Sequence, residues 1–181
     1  DRLIPVVHGW AHENHAPAEV KKAEFNASRS TADAVADMQN ALTTLQALFG
    51  DRLAPMFVPP WNRIDPGLMP ELAKAGYDAV STFQPRRTPE AAPGLATINT
   101  HLDPILWRGS RGLVDPERLI ALLVALLQDR RRGITDNHEP LGYLTHHLVH
   151  DADIWEFSRQ LMIEICDGPV RPYRHDRKDL P

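Results

Sequence analysis

The chain is 181 residues long, with 43% hydrophobic and 24% charged residues, the balance of a water-soluble globular chain large enough to bury a substantial core. A formal net charge of −4 gives no reason to expect nucleic acid or an anionic membrane as a partner, and no apolar run approaches the roughly 18 residues of a membrane span. Cys166 is the lone cysteine, which excludes an internal disulfide; the compartment stays open, with the cytoplasm favoured over the periplasm or secretion.

The chain opens on Asp1 rather than Met, carries no signal peptide, and enters the apolar run Leu3-Ile4-Pro5-Val6-Val7 at once. The expectation is a start trimmed of upstream sequence, with residues 1–181 forming one domain. Leu3 to Val7 reads as a buried strand. It runs into His8-Gly9-Trp10-Ala11-His12-Glu13-Asn14-His15, which holds three of the nine histidines. In a helical turn, positions 8, 12 and 15 would share one face. A His-x3-His pair can present two neutral imidazole nitrogens to one divalent ion. The alternative is a polar loop of solvated histidines.

Pro17 to Phe25 is read as a short helix. Ser30-Thr31-Ala32-Asp33 resembles a helix cap, and Val35, Met38, Leu42, Leu45 and Leu48/Phe49 keep helical spacing until Gly50. Pro55 to Val58 is a second strand, closed by Pro59-Pro60-Trp61-Asn62. Asp65 caps a helix with Pro66 at its first position, and Gly76 ends it. Tyr77 to Phe83 is a third strand; a proline-rich loop, Pro85 to Gly94, leads to a fourth, Leu95 to Asn99. Thr100 to Leu113 reads as a polar loop. Asp115-Pro116 then caps a strongly apolar helix that closes on Arg130-Arg131-Arg132-Gly133, cations suited to the negative end of a helix dipole. Leu141 to Thr145 is a fifth strand, Asp151 or Asp153 opens a last helix through Ile165, and the tail from Gly168 is polar.

Strand-helix alternation of this kind predicts an α/β domain with a parallel sheet, open or curled into a barrel. In such folds ligands bind beyond the carboxyl ends of the strands. His8, Trp61 with Asn62, His101 with Asp103, and His146 with His147 each follow a predicted strand, so the alternation directs all of them to one edge. Alone, each has an ordinary reading: Trp61 and Trp107 as packing, Asp103 as the start of a turn before Pro104. Together they predict an active site.

Four motifs then match one family in order. His8-Gly9-Trp10-Ala11-His12 resembles the His-Ser/Thr-x-x-His metal motif of the polysaccharide deacetylases, the NodB-homology carbohydrate esterases. Pro59-Pro60-Trp61-Asn62 is similar to that family's Arg-x-Pro-Trp/Tyr-Gly/Asn motif. Asp103-Pro104-Ile105-Leu106-Trp107 is similar to its Asp-x-x-Asp-Trp motif, and Leu144-Thr145-His146 to its Leu-x-His motif. The resemblance implies a distorted or incomplete (β/α) barrel, parallel strands with helices outside, and a divalent metal, usually zinc. It implies hydrolysis of acetyl groups on an N- or O-acetylated sugar or polysaccharide. By the same resemblance His8 and His12 are metal ligands, His146 is the general acid and Asp103 its tuning partner. Trp61, Asn62, Trp107 and His147 line the substrate pocket.

The departures are specific. The family's first motif, an Asp-Asp pair supplying the base and a third metal ligand, is absent. Its arginine is replaced by Val58, with Arg63 the nearby substitute; its second aspartate is Leu106, and Gly9 stands for the usual Ser/Thr. Two other readings therefore stay open: a metal hydrolase acting on a non-sugar amide, its site completed by His15, His101 or His147, and a non-enzymatic carbohydrate-binding relative. His15 is the best third ligand on helical spacing. The sugar and the oligomeric state are left open.

Overall fold

A computed structural model describes residues 3–175; the start at Asp1 and the last part of the polar tail, residues 176–181, lie outside the described residues. Within them, residues 3–99 with His175 make one compact unit and residues 100–174 a second.

In the first unit Ser30 accepts a hydrogen bond from the Asp33 N–H and opens helix α1, Thr31–Phe49, which buries Ala34, Met38, Ala41 and Leu42. Met38 and Leu42 belong to the stripe that the spacing predicts, whereas Val35 and Leu45 are half-buried and Leu48 and Phe49 are exposed; Gly50, at a φ of 55°, ends the helix. Strand β1 is Met56–Phe57, β2 is Ala79–Val80, β3 is Glu90–Ala92 and β4 is Leu95–Thr97. The sheet order is β1-β2-β4-β3, with the first three parallel and β3 antiparallel on β4. Between β1 and β2, Asp65 accepts from the Gly67 N–H at 3.1 Å and starts a 3₁₀ turn. That turn runs into α2, Met69–Ala75, which Gly76 closes at a φ of 101°. Phe57 sits at the centre of the core, its ring centroid 5.0 Å from that of Phe25 and 5.1 Å from that of Tyr77. The Tyr77 hydroxyl donates to the Met38 carbonyl at 2.8 Å, joining α1 to this cluster.

Several predicted elements are shorter or different. The Leu3–Val7 strand reduces to one parallel bridge, Val7 to Phe57, held by Val7 N–H to Met56 O at 3.0 Å and Val58 N–H to Val7 O at 2.7 Å. Pro5 has no N–H to extend that ladder. Residues 17–25 are not a helix. Their backbone groups are committed elsewhere: Val20 N–H to Pro17 O in a turn, Ala23 N–H to Asn14 Oδ1, and Ala23 O to the His15 N–H. Phe25 then bridges Ile64 in parallel. Inside the predicted proline-rich loop lies β3, turned onto β4 through Pro93 and Gly94 at a φ of 76°.

In the second unit Asp115 accepts from the Arg118 N–H and opens α3, Pro116–Arg131; Asp151, rather than Asp153, accepts from the Ile154 N–H and opens α4, Ala152–Asp167. Leu102, Leu119 and Leu161 are its buried apolar centre, with Tyr143 and Phe157 packed against them. The predicted strand at Leu141 to Thr145 reduces to a parallel bridge between Tyr143 and Leu102. Among the described residues the strands form no closed barrel, and no helix is long and apolar enough to cross a membrane.

Candidate active site

The histidine segment leaves the Val7 bridge at the same end as the loop that follows β1, so both emerge at the carboxyl edge of the parallel strands. It is not helical, and the shared face expected for His8, His12 and His15 does not form. The reason lies in Gly9 and Glu24. Gly9 has a φ of 63°, and a Cβ there would stand 2.3 Å from Glu24 Oε2 and 2.5 Å from Pro60 Cγ. Glu24 is fully buried, and its carboxylate accepts the Ala11 N–H at 2.7 Å and the Trp10 N–H at 3.3 Å. A buried carboxylate satisfied by backbone donors holds the loop in a left-handed turn that only glycine makes without strain. This explains why position 9 is a glycine. Sequence reading missed Glu24, which lies between Ala23 and Phe25 with Lys21, Lys22 and Asn26 close by and carries no local cue.

His8 and His12 come together, with ring centroids 5.3 Å apart, and His12 lies 4.3 Å from the Trp61 ring. His12, Trp61 and Asn62 all have a φ of 56°, a left-handed conformation that bulky residues keep only where their surroundings impose it, as at ligand sites. His8 Nδ1 donates to the Val58 carbonyl at 3.0 Å. That bond places the proton on Nδ1 and the lone pair on Nε2. Both rings are exposed and accessible to an ion. Among the described residues no group of three or more His, Cys, Asp or Glu side chains could hold a metal. The pair by itself is therefore not a full ligand set. His15 is exposed and tied through its backbone to Ala23, so the helical argument for it as a third ligand is gone. Arg63 donates to the Lys22 carbonyl at 2.8 Å and tethers that loop.

The second unit gathers Asp103, Trp107 and His146. Asp103 Oδ2 lies 3.2 Å from His146 Nε2 and accepts the Trp107 indole N–H at 2.8 Å, while Oδ1 accepts the Ile105 N–H at 3.0 Å. The Trp107 ring stands edge-on to His146 with centroids 4.9 Å apart. Burial pushes the Asp103 carboxyl up, but the bonds from His146, Trp107 and Ile105, with the charge of His146, outweigh it and hold the carboxyl below its ordinary value. Asp103 thus stays ionised beside the His146 ring. Behind it, the His146 N–H donates to His150 Nε2 at 3.0 Å, and the His150 ring packs on Trp155 at 4.6 Å. Burial, then the neighbouring His146, lowers the His150 pKa, so it serves as a neutral acceptor. His147 is exposed in the turn between His146 and His150.

His101 does not join this group. It is buried: Nδ1 accepts the Gly142 N–H at 3.0 Å and Nε2 faces Glu139 at 3.1 Å, with Arg130 bonded to the Glu139 carbonyl. Both ring nitrogens are committed to the core, so His101 is no spare ligand.

These elements define a mixed α/β protein with a mainly parallel sheet flanked by helices. A Mycobacterium smegmatis crystal structure provisionally described as a polysaccharide deacetylase is similar, with a TM-score of 0.58 and 16% identity over 90% of this chain and 56% of that one. The likeness is one of fold, and this chain spans little more than half the length of that neighbour. No family model matches the chain, and no curated protein matches it.

Proposed function

We propose that the chain carries the site of a metal-dependent carbohydrate deacetylase, on an incomplete (β/α) barrel. The observation that carries the proposal is the bond between Asp103 and His146, a carboxylate-held imidazole made from two residues far apart in sequence. Such a histidine can deliver a proton to a leaving amine or alkoxide. In this reading His8 and His12 supply two ligands to a zinc ion. The ion, when bound, would polarise the acetyl carbonyl and acidify a water. Trp61, Asn62, Trp107 and His147 take the substrate-facing roles, and the substrate is an acetylated sugar or polysaccharide. Catalytic zinc sites use three protein ligands, so His8 and His12 are one short of a catalytic set.

Elemental analysis and acetate release from an acetylated chitooligosaccharide test this together. Wild-type protein is expected to hold zinc and to release acetate slowly and in a chelator-sensitive way, since His8 and His12 supply two of the three ligands of a catalytic zinc site. His12→Ala is expected to lose the metal. His146→Ala is expected to keep the metal and lose roughly 10²–10⁴ in rate, the usual contribution of a general acid. Equal zinc content in wild type and His12→Ala would remove the metal assignment.

A further inference from the structure

A cleft of about 370 Å³ opens in the first unit, away from the histidine loop. Residues 82–88, which follow β2, form one wall; Thr97 and Asn99 at the end of β4, Ala91 in β3, and Pro66 and Met69 at the approach to α2 form the rest. It therefore lies beyond the carboxyl ends of two parallel strands, where α/β folds bind ligands.

The wall is built rather than loose. Asn99 is 6% exposed; its Oδ1 accepts the Thr82 N–H at 2.8 Å and the Thr82 hydroxyl at 3.0 Å, and its Nδ2 donates to the Gln84 carbonyl at 2.9 Å. Arg86 donates to the Thr97 carbonyl at 2.9 Å, tying the loop to β4. Between these ties Gln84 is held at a φ of 90°. Such a conformation is strained for a non-glycine residue and persists where the surroundings over-determine it, as at ligand clamps. Phe83 offers a partly exposed ring and Arg87 an exposed guanidinium, and among the described residues no acidic side chain lines the cleft. A guanidinium fork matches a carboxylate in two parallel hydrogen bonds. An aromatic face suits the apolar face of a sugar ring.

We propose that this cleft binds a carboxylate-bearing sugar unit, with Arg87 on the carboxylate and Phe83 against the ring, so that the substrate is an acidic polysaccharide. The inference rests on the carbohydrate reading above and names its substrate class.

The test is an amide-shift titration with tetragalacturonic acid and with its methyl ester, which keeps the rings and removes the charge. Wild-type protein is expected to bind the acid at least about tenfold more tightly, a difference of about 1.4 kcal/mol, with the shifts centred on residues 82–88. Arg87→Gln should bring the acid to the affinity of the ester, and Phe83→Ala should weaken both. Arg87 is exposed, so unchanged resonances elsewhere report a retained fold. Binding of neither probe, equal binding of both by wild type, or a preference that survives Arg87→Gln would overturn the proposal. No hydrolysis enters these measurements, so such a failure leaves the zinc site standing. Acid-selective binding without zinc-dependent acetate release would overturn the deacetylase reading alone.

Discussion

Asp103 shows how one side chain ties several neighbours into a working group. Its carboxylate receives an imidazole, an indole and a backbone amide, and their sum outweighs the cost of burial. Because its pKa is lower in the folded than in the unfolded state, Asp103 contributes stability that is fully present above the unfolded value, about 3.9. That contribution is lost as pH falls through the lower folded value. Asp103→Asn is therefore expected to destabilise near neutral pH, by about 1–3 kcal/mol for a hydrogen-bonded charge, and to cost little near pH ~2. Urea midpoints of the two proteins at both pH values check this. A gap that stays constant with pH would show that the charge is not what stabilises. That Asp103 and His146 would meet was expected only from a resemblance of their segments to known motifs, not from any local spacing. Glu24 and Glu139 were not legible, since nothing local distinguishes a buried acid from an exposed one until the chain folds over it.

At the scale of elements, the histidine loop behaves as a unit clamped by Glu24. The clamp requires close approach at Gly9, where a methyl group would collide with Glu24 and Pro60. Gly9→Ala is expected to lower stability by about 2–4 kcal/mol, combining left-handed strain with overpacking. It should also weaken metal binding, because His8 and His12 flank the displaced turn. Urea denaturation and a zinc titration read the two effects; an unchanged midpoint would mean that the loop is not held as described. Helices α1, α3 and α4 were legible because capping and spacing act within a few residues. The false helix at residues 17–25 and the missed strand β3 were not. Asn14, Ile64 and β4 decide those segments from outside, and tertiary pairing overrides weak local preference.

Across the whole molecule the two units differ in how much they bury. The first packs Phe25, Met38, Phe57, Leu72, Tyr77 and Leu95 into one cluster, whereas the second centres on Leu102, Leu119 and Leu161. Helix α3 is apolar in sequence yet leaves Ile120, Leu122, Val124 and Leu127 between 38% and 47% exposed. Local opening costs least where few apolar contacts are broken. Amides of α3 are expected to exchange at least about tenfold faster than those of α1, equivalent to a difference of about 1.4 kcal/mol in opening free energy. Hydrogen exchange read by mass spectrometry measures this directly. Equal protection of α1 and α3 would show that burial within each unit does not set its stability.

What the sequence by itself determined is therefore local. Caps at Ser30, Asp65 and Asp115, stops at Gly50 and Gly76, the alternation of strand and helix, and the chemical character of His8, His12, Asp103 and His146 all follow from neighbours a turn away. Only the tertiary structure decided that His101 is walled into the core while His146 meets a carboxylate. It alone decided that His15 leaves the line of His8 and His12, and that the loop after β2 stands open as a cleft. Those outcomes depend on groups tens of residues distant, whose burial and hydrogen bonds exist only once the chain has closed on itself.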